Sequence, residues 1–546
     1  MSALVLLGLL LNPSPDFQRI RVVATSDLHC RVLPSADFSA PGLPFRELGG
    51  WDNLARLIDQ SRTDASLLLD CGGFAFGSPE SRATQGRDAV RFMNLCKYDA
   101  AAIGASDFFG SAENLEILAK SATFPLLADP MLDVVLNRRS PLFRPFAVRD
   151  VKGVRVAIIG LSDTRVQEVT RKVDNRGFAP DEPLLQIRRY LTAVNAEAPD
   201  LVVAIGHLLP DEGAMLLDSF PDLDLVVCPA GPGLSPERLV KVGSDGREIA
   251  VVDILYDRAA GNVYQVESRR LNVIAGTPDS AAASLCEEIT VPGMDSVVCF
   301  SPAVLTPDDS FGTLAATACE ALRCATEADL AILPWNAVET GLVEGWLTRR
   351  ALFNAVPFCE PVRTTAMDDT TLHRFIAGFE PAQPFPMLAG ADLFVVGDTG
   401  IWPASAQVAR IRHRNRKTKY RVATTEVLLE RGGLSNLGKL SEKNLSDLWT
   451  DWTSAQDTLV PVSRPRLYPA TAGLITKSDS ACFPVDINAA DSELLEKLPG
   501  IGPRTAERII EYRQAHGRFG SVEELLNVKG IGPKKLDQIR PLATTR

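Results

Sequence analysis

The residues best placed to do chemistry form a short repeat near the C-terminal end of the chain. Gly500-Ile-Gly-Pro503 recurs thirty positions later as Gly530-Ile-Gly-Pro533, and each copy lies between two segments with a helical pattern of apolar residues. Glycines let the backbone turn tightly and approach another surface, and proline suits a first helical position, which needs no amide hydrogen. The amides at such a helix start, together with the helix dipole, favour an anion. The sequence therefore predicts an anion site at each turn.

Basic side chains follow each turn and add to this anion site. Arg504 stands just beyond the first turn, and Lys534 and Lys535 stand just beyond the second. A charge-assisted hydrogen bond from such a side chain strengthens the binding of a phosphate. The residues predicted to contact a phosphate backbone are Gly500, Ile501, Gly502, Arg504, Thr505, Gly530, Ile531, Gly532, Lys534 and Lys535.

With the preceding Val485-Asp-Ile-Asn-Ala-Ala-Asp, this repeat resembles the helix-hairpin-helix family in its ComEA-like form, over about Phe483 to Leu542. The resemblance implies binding of the DNA backbone, a contact that carries no base information. Residues 483–546 hold ten Lys or Arg against nine Asp or Glu, so affinity would depend on local amides more than on net charge. A protein-packing role for the paired hairpins is the alternative.

A second set of candidate residues lies in the N-terminal half, where Thr25-Ser-Asp27-Leu-His29 follows a predicted strand and His207 stands in Ile-Gly-His-Leu. These strings resemble the calcineurin-like phosphoesterases, specifically the 5′-nucleotidase and UDP-sugar hydrolase family. The resemblance continues through Leu69–Pro79, Tyr98–Gly110, Gly153–Leu161, Tyr420–Thr424 and Arg431–Gly433. It implies that Asp27, His29 and His207 are ligands of a two-metal site for phosphate ester hydrolysis.

The rest of that implied two-metal site departs from the family pattern. Gly73 stands in place of the metal-bridging Asp, and Ala105-Ser106 replaces an Asn-His pair. Ala230 and Pro232 stand where the family closes with Gly-His-x-His. Without the bridging carboxylate, two dications repel each other with no negative charge between them. These departures imply a catalytically degenerate relative with a vestigial or mononuclear metal site.

The nucleotide-binding loops of the family are altered as well. Asn336-Ala-Val-Glu-Thr-Gly341 stands in place of Asn-x-Gly-Gly-x-Arg, and Gly432-Gly433-Leu434 in place of Gly-Gly-Asp. The missing Arg would hold a phosphate and the missing Asp would hold a ribose. Losses at two separate sites favour a pseudoenzyme.

Cysteines in the same loops keep a different metal site, with thiolate ligands, as an alternative. Cys71 and Cys228 stand near the positions of the lost ligands, and thiolates with imidazoles suit a single zinc ion. Small buried thiols that fill space, or a disulfide between Cys30 and Cys71, account for the same pattern. The expected cofactor is therefore none, or one divalent Zn or Mn ion.

The elements that must position these residues alternate between strands and helices over about Arg19 to Ala275. The predicted strands are Arg21–Ala24, Ser66–Leu69, Val154–Ile159, Leu201–Ile205 and Leu223–Val227, with helices around Leu54–Ile58 and Asn114–Ala119. Alternation of this kind indicates a layered α/β domain with its chemistry in loops at strand ends. The predicted fold class is multi-domain α/β: a four-layer metallophosphoesterase-like sandwich, a second α/β domain, and a small all-α double helix-hairpin-helix domain.

The predicted boundaries follow changes in composition along the chain. They are a signal-like segment at 1–18, the metallophosphoesterase-like domain at 19–275, the second domain at 300–450, a linker at 451–482, and the hairpin domain at 483–546. Within the second domain, Phe311–Arg323 reads as a helix and Leu330–Pro334 as a strand. The basic run Arg410–Arg421 fits either a solvated hairpin tip or a phosphate-contacting patch.

Whole-chain properties limit the classes of function. The chain has 546 residues and a net charge of −11, so DNA binding must reside in a local module. No apolar run approaches the ~20 residues that span a bilayer. Ala3–Leu11 has the length of a signal-peptide core but no basic residue before it, so export to the periplasm or cell exterior is the expectation and a cytoplasmic location the alternative.

The function predicted from sequence is an exported, non-catalytic 5′-nucleotidase-like scaffold whose tail binds DNA, with a role in DNA capture or uptake. One alternative is a residual metal-dependent phosphohydrolase that acts on nucleotides or nucleic acid. Another is a protein-interaction module built from the hairpins.

Overall fold

The computed structural model describes a large part of the chain. The described residues are 16–38, 46–129, 132–133, 138–139, 142–231, 236–306, 313–334, 337–357, 359–377, 387–396, 407–413, 417–435, 437–459, 461, 467–469, 485–488, 490, 492–496, 498, 501–540 and 543–545. The predicted N-terminal apolar segment lies outside them.

Short, apolar, β-branched segments form the strands of the N-terminal part, as their alternation predicts. These strands are β1 (Phe17–Thr25), β2 (Pro34–Ala36), β3 (Glu47–Gly49), β4 (Ser66–Asp70), β5 (Ala100–Ala102), β6 (Leu126–Leu127), β7 (Leu132–Asp133), β8 (Arg138–Arg139), β9 (Phe143–Arg144), β10 (Phe146–Val151), β11 (Val154–Leu161), β12 (Leu201–Gly206), β13 (Leu225–Pro229), β14 (Leu239–Val242), β15 (Glu248–Asp257) and β16 (Asn262–Asn272). The predicted strands correspond to β1, β4, β11, β12 and β13.

The later strands belong to the second α/β part and to the C-terminal region. They are β17 (Val297–Ser301), β18 (Leu330–Leu333), β19 (Gly345–Thr348), β20 (Pro361–Met367), β21 (Met387–Ala389), β22 (Ala391–Val396), β23 (Gln407–His413), β24 (Tyr420–Thr425), β25 (Lys439–Asn444), β26 (Leu467–Pro469), β27 (Val485–Asp486) and β28 (Ala543–Thr544).

Helices alternate with the strands. They are α1 (Trp51–Ser61), α2 (Pro79–Thr84), α3 (Arg87–Cys96), α4 (Ala112–Ser121), α5 (Val166–Val169), α6 (Lys172–Asn175), α7 (Pro183–Ala196), α8 (Pro210–Ser219), α9 (Ser280–Ile289), α10 (Thr313–Ala325), α11 (Arg349–Ala355), α12 (Asp369–Ala377), α13 (Glu426–Arg431), α14 (Leu445–Ser454), α15 (Ser492–Leu495), α16 (Pro503–His516) and α17 (Pro533–Ile539). Ala105–Gly110 and Val522–Asn527 are 3-10 helices.

Two sheets form the centre of the N-terminal part. The first has the strand order β16-β15-β1-β4-β5-β6-β9, and the second has the order β10-β11-β12-β13-β14. From β1 to β9 the first sheet is parallel, and so is the second sheet from β11 to β14. The carboxyl ends of the parallel strands in each sheet therefore share one edge, and the loops that follow them lie close together.

Alternation along the strands divides the core into layers. Val22 packs between the sheets in one cluster with Val203, whereas its neighbour Val23 packs on the other face in one cluster with Trp51 of α1. The far face of the second sheet packs against α7 and α8. Successive side chains of a strand point to opposite faces, so each sheet is buried on both sides. The four-layer α/β sandwich predicted from the sequence is confirmed.

The second α/β part contains a five-stranded sheet with the order β21-β18-β24-β20-β25. β18 and β24 run parallel at its centre, and α10 and α14 pack together beside it. β17 and β19 form a separate two-stranded ribbon. The predicted helix and strand that open this part are α10 and β18, so the second α/β domain is confirmed.

The chain groups into two compact units. One unit comprises Met1–Asp368, Pro386–Gly390 and Lys419–Arg464, and the other comprises Asp369–Phe385, Ala391–Thr418 and Pro465–Arg546. The first unit contains both α/β parts. The domain boundaries drawn from the sequence stay predictions.

The start of the basic run Arg410–Arg421 differs from the expected hairpin tip. Residues 410–413 belong to β23, which pairs with β22 in a three-stranded sheet of order β23-β22-β26. The expectation of a hairpin tip was wrong for residues 410–413 because they form a strand that pairs with β22, and residues 414–416 lie outside the described residues.

The C-terminal region folds around a small core of its own. Its buried side chains include Ile487, Leu498, Ile509, Leu525 and Ile539. β27 and β28 pair in parallel and bring the two ends of this region together. Across the described residues, no helix combines the length and apolar character needed to cross a membrane.

Candidate functional site

The candidate metal residues lie on loops at the carboxyl ends of β1 and β12. Asp27 and His29 follow β1, and each has a positive φ of 48°. Their N–H groups donate to the carbonyl oxygens of Gly72 and Gly73 at 2.9 and 3.0 Å. Positive φ is uncommon for residues other than glycine, so these bonds to the loop after β4 hold the first loop in a strained conformation.

The structure brings the three predicted side chains together. Nε2 of His207 lies 2.7 Å from Oδ1 of Asp27, and Nε2 of His29 lies 3.6 Å from the same oxygen. Asp27 and His29 are buried, and His207 is half-buried. Their assignment as metal ligands stays a prediction.

Two further carboxylates, which the sequence analysis missed, hold the other side of each imidazole. Nδ1 of His207 lies 2.8 Å from Oδ2 of Asp163, and Nδ1 of His29 lies 2.9 Å from Oδ1 of Asp245. Asp163 comes two residues after β11, and this position at the carboxyl end of a parallel strand could have identified it. Asp245 lies in the connection before β15, which no motif marks.

Arginines complete a continuous chain of alternating charge. Nε of Arg165 donates to Oδ1 of Asp163 at 2.9 Å, and Nε of Arg31 donates to Oδ1 of Asp245 at 3.3 Å. Arg247 also donates to Asp245, at 2.5 Å. The ordered sequence of contacts is Arg165, Asp163, His207, Asp27, His29, Asp245, and then Arg31 and Arg247 together.

The same contacts shift the pKa values of these groups. Burial lowers the pKa of His207, but the charges of Asp27 and Asp163 outweigh it and raise the pKa well above its ordinary value. Burial is likewise outweighed at His29, where Glu339 and Asp245 raise the pKa to about 9. At Asp27, burial raises the pKa, but His207 brings the net value below the ordinary one.

Glu339 approaches this chain of charges from the second α/β part. It lies in the loop where the resemblance implies a glycine, and its backbone N–H donates to the carbonyl of Ala355 at 3.0 Å. Burial raises the pKa of its carboxyl group, and the nearby His29 opposes that rise. Two residues on, a Cβ added to Gly341 would lie 2.6 Å from the carbonyl oxygen of Leu305, so this backbone has no room for the larger side chain of the family.

The loop that contains Gly73 is closely packed. A Cβ added to Gly73 would lie 2.4 Å from Oδ1 of Asp27, and Gly73 has a φ of +77°. Asp107 accepts hydrogen bonds from the N–H groups of Gly73 and Gly104, both at 2.9 Å, and from Ala75 at 2.8 Å. This buried carboxylate ties the loops after β4 and β5 together, and burial raises its pKa to about 6.

The cysteines named in the sequence analysis lie in different layers. Cys71 packs between the two sheets, and Cys228 packs between the second sheet and its helices. Cys30 and Cys71 are both free, so the disulfide alternative was wrong. The cysteines that the structure describes are all unpaired, and Cys30, Cys71, Cys228, Cys286, Cys299 and Cys319 are buried.

The described residues do not present a ready metal site. No group of three or more His, Cys, Asp or Glu side chains among them is arranged to hold an ion. Asp27 is in contact with both imidazoles, and the cysteine candidates are buried in apolar clusters. The donor set that converges is one carboxylate and two imidazoles, without a second carboxylate to bridge two ions.

The two C-terminal turns have the same backbone geometry. Gly502 precedes α16 with φ −106° and ψ 175°, and Gly532 precedes α17 with φ −107° and ψ 173°. The hydrogen bonds repeat as well, since the N–H groups of Thr505 and Ala506 donate to Gly502 O as those of Lys535 and Leu536 donate to Gly532 O. The internal repeat seen in the sequence is thus a repeat in structure.

The apolar residue of each turn is an anchor. Ile501 and Ile531 are each 5% exposed and belong to one core cluster. Burial of both isoleucines fixes the turns on the module while the glycine that follows stays at its surface. Gly500 and the side chain of Lys534, both predicted to contact a phosphate, lie outside the described residues.

The basic side chains of the module differ in their contacts. Arg504 is exposed beside the first turn. Nζ of Lys535 donates to the carbonyl oxygen of Gly530 at 2.8 Å, so it also stabilises its own turn. Two arginines that the sequence analysis did not select, Arg508 and Arg513, donate to the carbonyls of Lys529 and Ile487 at 3.1 and 2.8 Å.

Comparisons with known proteins agree with this architecture. The helix-hairpin-helix motif family matches residues 482–544. Protein UshA of Yersinia enterocolitica is 33% identical over 147 residues, which are 26% of this chain and 26% of the relative. The 5′-nucleotidase of Vibrio cholerae is 31% identical over 201 residues, which are 35% and 34% of the two chains. The human 5′-nucleotidase is 24% identical over 310 residues, or 53% and 54%.

Solved structures show the same fold. The 5′-nucleotidase precursor of Thermus thermophilus superposes with a TM-score of 0.71 at 18% identity and covers 82% of this chain and 99% of its own. The sulfate thiohydrolase SoxB of Thermus thermophilus superposes with a TM-score of 0.69 at 17% identity, covering 84% and 97%. The protein thus has homologues and structural neighbours among the 5′-nucleotidases and carries a C-terminal helix-hairpin-helix domain. The matched sequence segments span between 26% and 54% of the three relatives' own length.

Proposed function

We propose that this protein is a 5′-nucleotidase-like scaffold that does not hydrolyse phosphate esters and that binds the backbone of duplex DNA through its C-terminal hairpins. The family to which residues 482–544 are matched is a nucleic-acid-binding type. The relatives carry the names of active 5′-nucleotidases, so the absence of hydrolysis is the part of the proposal that needs the most direct test.

The observation that carries the DNA-binding proposal concerns Gly502 and Gly532. Most other described glycines either have a positive φ or have a neighbour within 4 Å of the position where a Cβ would stand. Gly502 and Gly532 have an ordinary negative φ and no neighbour within that distance. Both glycines are helix N-caps, where glycine is modestly preferred over alanine, and the surrounding fold gives no further reason for glycine at either position. Close approach of an external surface to the backbone supplies one.

The chemistry of the first turn suits a phosphate. The amides at the start of α16 lie at the positive end of its helix dipole. Arg504 is exposed beside them. The second turn repeats this backbone and has Lys535 beside it. Contacts of this kind read the backbone and not the bases, so binding should be independent of sequence and sensitive to salt.

The non-hydrolytic part of the proposal rests on the charges around Asp27. Both of its neighbouring imidazoles are held between carboxylates, and Glu339 adds a negative charge beside His29. Gly73, on the loop after β4, lies against Asp27 and supplies no second carboxylate. Without a carboxylate to bridge them, two metal cations have no shared anion at this position, and hydrolysis of a phosphate ester would lack the paired cations that stabilise the attacking and leaving oxygens.

The experiment titrates a fluorescent duplex with the full chain and with a Gly502→Ala/Gly532→Ala variant. A methyl group at each open position should leave the fold intact, at a cost of about 1 kcal/mol or less per helix start. It should block close approach of the phosphates and weaken binding at least about tenfold, or ~1.4 kcal/mol. Arg504→Glu should weaken binding in the same direction, whereas Gln514→Ala, at an exposed position near the other end of α16, is the matched control.

Absence of binding by the unaltered chain at low salt would reject the DNA proposal and favour the protein-interaction alternative. Equal affinity of the double alanine variant would show that the open glycines are not the contact. A role in DNA capture or uptake further requires export of the chain, which cell fractionation decides.

A second candidate function is a residual phosphohydrolase that uses one metal ion. One observation favours it, namely that Nδ1 of His29 and of His207 is held by a carboxylate, as is common for metal-bound histidines. Turnover of bis(p-nitrophenyl) phosphate and of AMP with Mn²⁺, Co²⁺ or Zn²⁺ separates the two proposals. Activity that Asp27→Ala abolishes would overturn the non-hydrolytic scaffold.

A further inference from the structure

The second hairpin turn is in contact with the helix that starts at the first turn. Thr505 and Arg508 are three residues apart on α16 and share one face of that helix. A Cβ built on Gly530 would lie 3.4 Å from Nη1 of Arg508 and 3.8 Å from Oγ1 of Thr505. The backbone of the second turn therefore packs against the N-terminal part of α16, close to the first turn.

Two cationic side chains bind the carbonyl oxygens of the second turn. Nη1 of Arg508 donates to the carbonyl of Lys529 at 3.1 Å, and Nζ of Lys535 donates to the carbonyl of Gly530 at 2.8 Å. Lys535 belongs to the second hairpin and holds only its own turn. Arg508 belongs to the first hairpin, so its bond ties one turn to the other.

Arg508 is suited to fix a distance. The guanidinium group is planar and rigid, and it loses less conformational entropy per hydrogen bond than an ammonium group does. Gly530 has a φ of +106°, which other residues rarely adopt, so the turn that accepts the bond has a defined shape. The bond from the rigid guanidinium of Arg508 to the defined turn at Gly530 therefore sets the separation of the two turns.

We propose that Arg508 is a positioning residue that holds the two hairpin turns at the spacing needed to engage phosphates of one duplex at the same time. The inference rests on the proposed DNA-binding function and deepens it. When both turns are held in place, binding at one turn makes binding at the other an intramolecular event with a high effective concentration. When the bond is lost, the turns engage the duplex one at a time.

The test compares Arg508→Gln with Arg513→Gln in the full chain. Both arginines lie on α16, both donate one bond to a backbone carbonyl, and both substitutions remove one positive charge. Arg513 bonds to Ile487, away from the turns, which makes it the matched control. The measured quantity is the slope of log affinity for a fluorescent duplex against log salt concentration, which reports the number of phosphates neutralised.

Arg508→Gln is expected to weaken binding about tenfold, or ~1.4 kcal/mol. It should reduce the magnitude of the slope by about two or more, because a whole turn disengages. Arg513→Gln should change the slope by about one or less, as should the loss of any single direct phosphate contact. Arg508→Lys, whose ammonium can reach the same carbonyl, should recover most of the slope.

A second measurement distinguishes the loss of one contact from unfolding of the module. In a ¹⁵N-glycine-labelled chain, DNA should shift the amide resonances of both Gly502 and Gly532, and in Arg508→Gln it should shift that of Gly502 only. A slope change of one or less for Arg508→Gln, with both glycines still responding, would overturn the inference while leaving DNA binding in place. Failure of the unaltered chain to bind duplex would instead reject the proposed function itself.

Discussion

Glu360 carries a buried carboxyl oxygen in the second α/β part, and its Oε2 atom has no hydrogen-bond partner among the described residues. Burial raises the pKa of this carboxyl group to about 7, from an ordinary value of 4.5. The folded chain therefore holds this proton more tightly than the unfolded chain does. Linkage then requires the free energy of unfolding to fall as the pH rises between those two values and to level off above them.

Glu360→Gln should remove this pH dependence, because the amide cannot ionise. We expect the variant and the unaltered chain to be similar in stability at pH 4, and the variant to be more stable at pH 8 by up to about 3 kcal/mol. Urea unfolding at the two pH values measures the difference. The exposed Glu344→Gln is the control, and an equal effect of Glu360→Gln at both pH values would contradict the prediction.

Single residues also show which members of the candidate site could be predicted from the sequence and which could not. Asp27, His29 and His207 were recognisable because each lies in a short motif after an apolar strand. Asp245 and Glu339 were not, because they reach the site from a connection and from the second α/β part, where only the folded chain brings them near His29. Their position is a product of tertiary structure and leaves no local pattern.

Among the elements, the two hairpins offer the clearest comparison, since both turn isoleucines are buried to the same extent. Removing the side chain of Ile531 leaves a cavity in the small core of this module. Ile531→Ala should destabilise the C-terminal module by about 2–4 kcal/mol, and Ile501→Ala by a similar amount. Native-state hydrogen exchange of the module's amides measures this loss.

Leu526→Ala is the matched control for these two variants, because Leu526 is in the same module but 46% exposed. Its removal should cost well under about 1 kcal/mol. A cost as large as that of Ile531→Ala would show that the turns are not anchored by their isoleucines.

Elements with local signals were well predicted, whereas the pairing of strands was predicted less well. The strands that flank the candidate site show short apolar runs, and α16 and α17 begin at prolines that follow glycine. Residues 410–413 were predicted to lie at the tip of a hairpin because a basic run between apolar segments resembles a turn, whereas they lie in β23, which pairs antiparallel with β22. Its partner β22 is chosen by packing, which a single sequence does not reveal.

At the scale of the whole molecule, the two α/β parts of the first unit are joined by ion pairs of different burial. Nη1 of Arg350 lies 2.6 Å from Oε1 of Glu80, and the two side chains are 10% and 1% exposed. Arg82 and Asp447 form a second pair between the same parts, with side chains 41% and 33% exposed. Removal of one partner from the buried pair should therefore cost far more free energy of unfolding than removal of one partner from the exposed pair.

Arg350→Met should destabilise the first unit by about 3–5 kcal/mol, because it leaves the Glu80 carboxylate buried without its cation. Adding Glu80→Gln to Arg350→Met should restore most of that loss. Arg82→Met should cost about 1 kcal/mol or less. Denaturant unfolding of the variants measures all of these values, and equal effects of the two arginine substitutions would contradict the prediction.

The buried free thiols bear on how this protein could exist in an oxidising compartment. Six of the described cysteines are buried once the chain has folded. An oxidant can reach them only during the interval between synthesis and folding, so the risk of wrong cross-links is concentrated in that interval. Folding therefore protects these six thiols, whereas the exposed Cys324 and Cys359 stay open to oxidation in the folded chain.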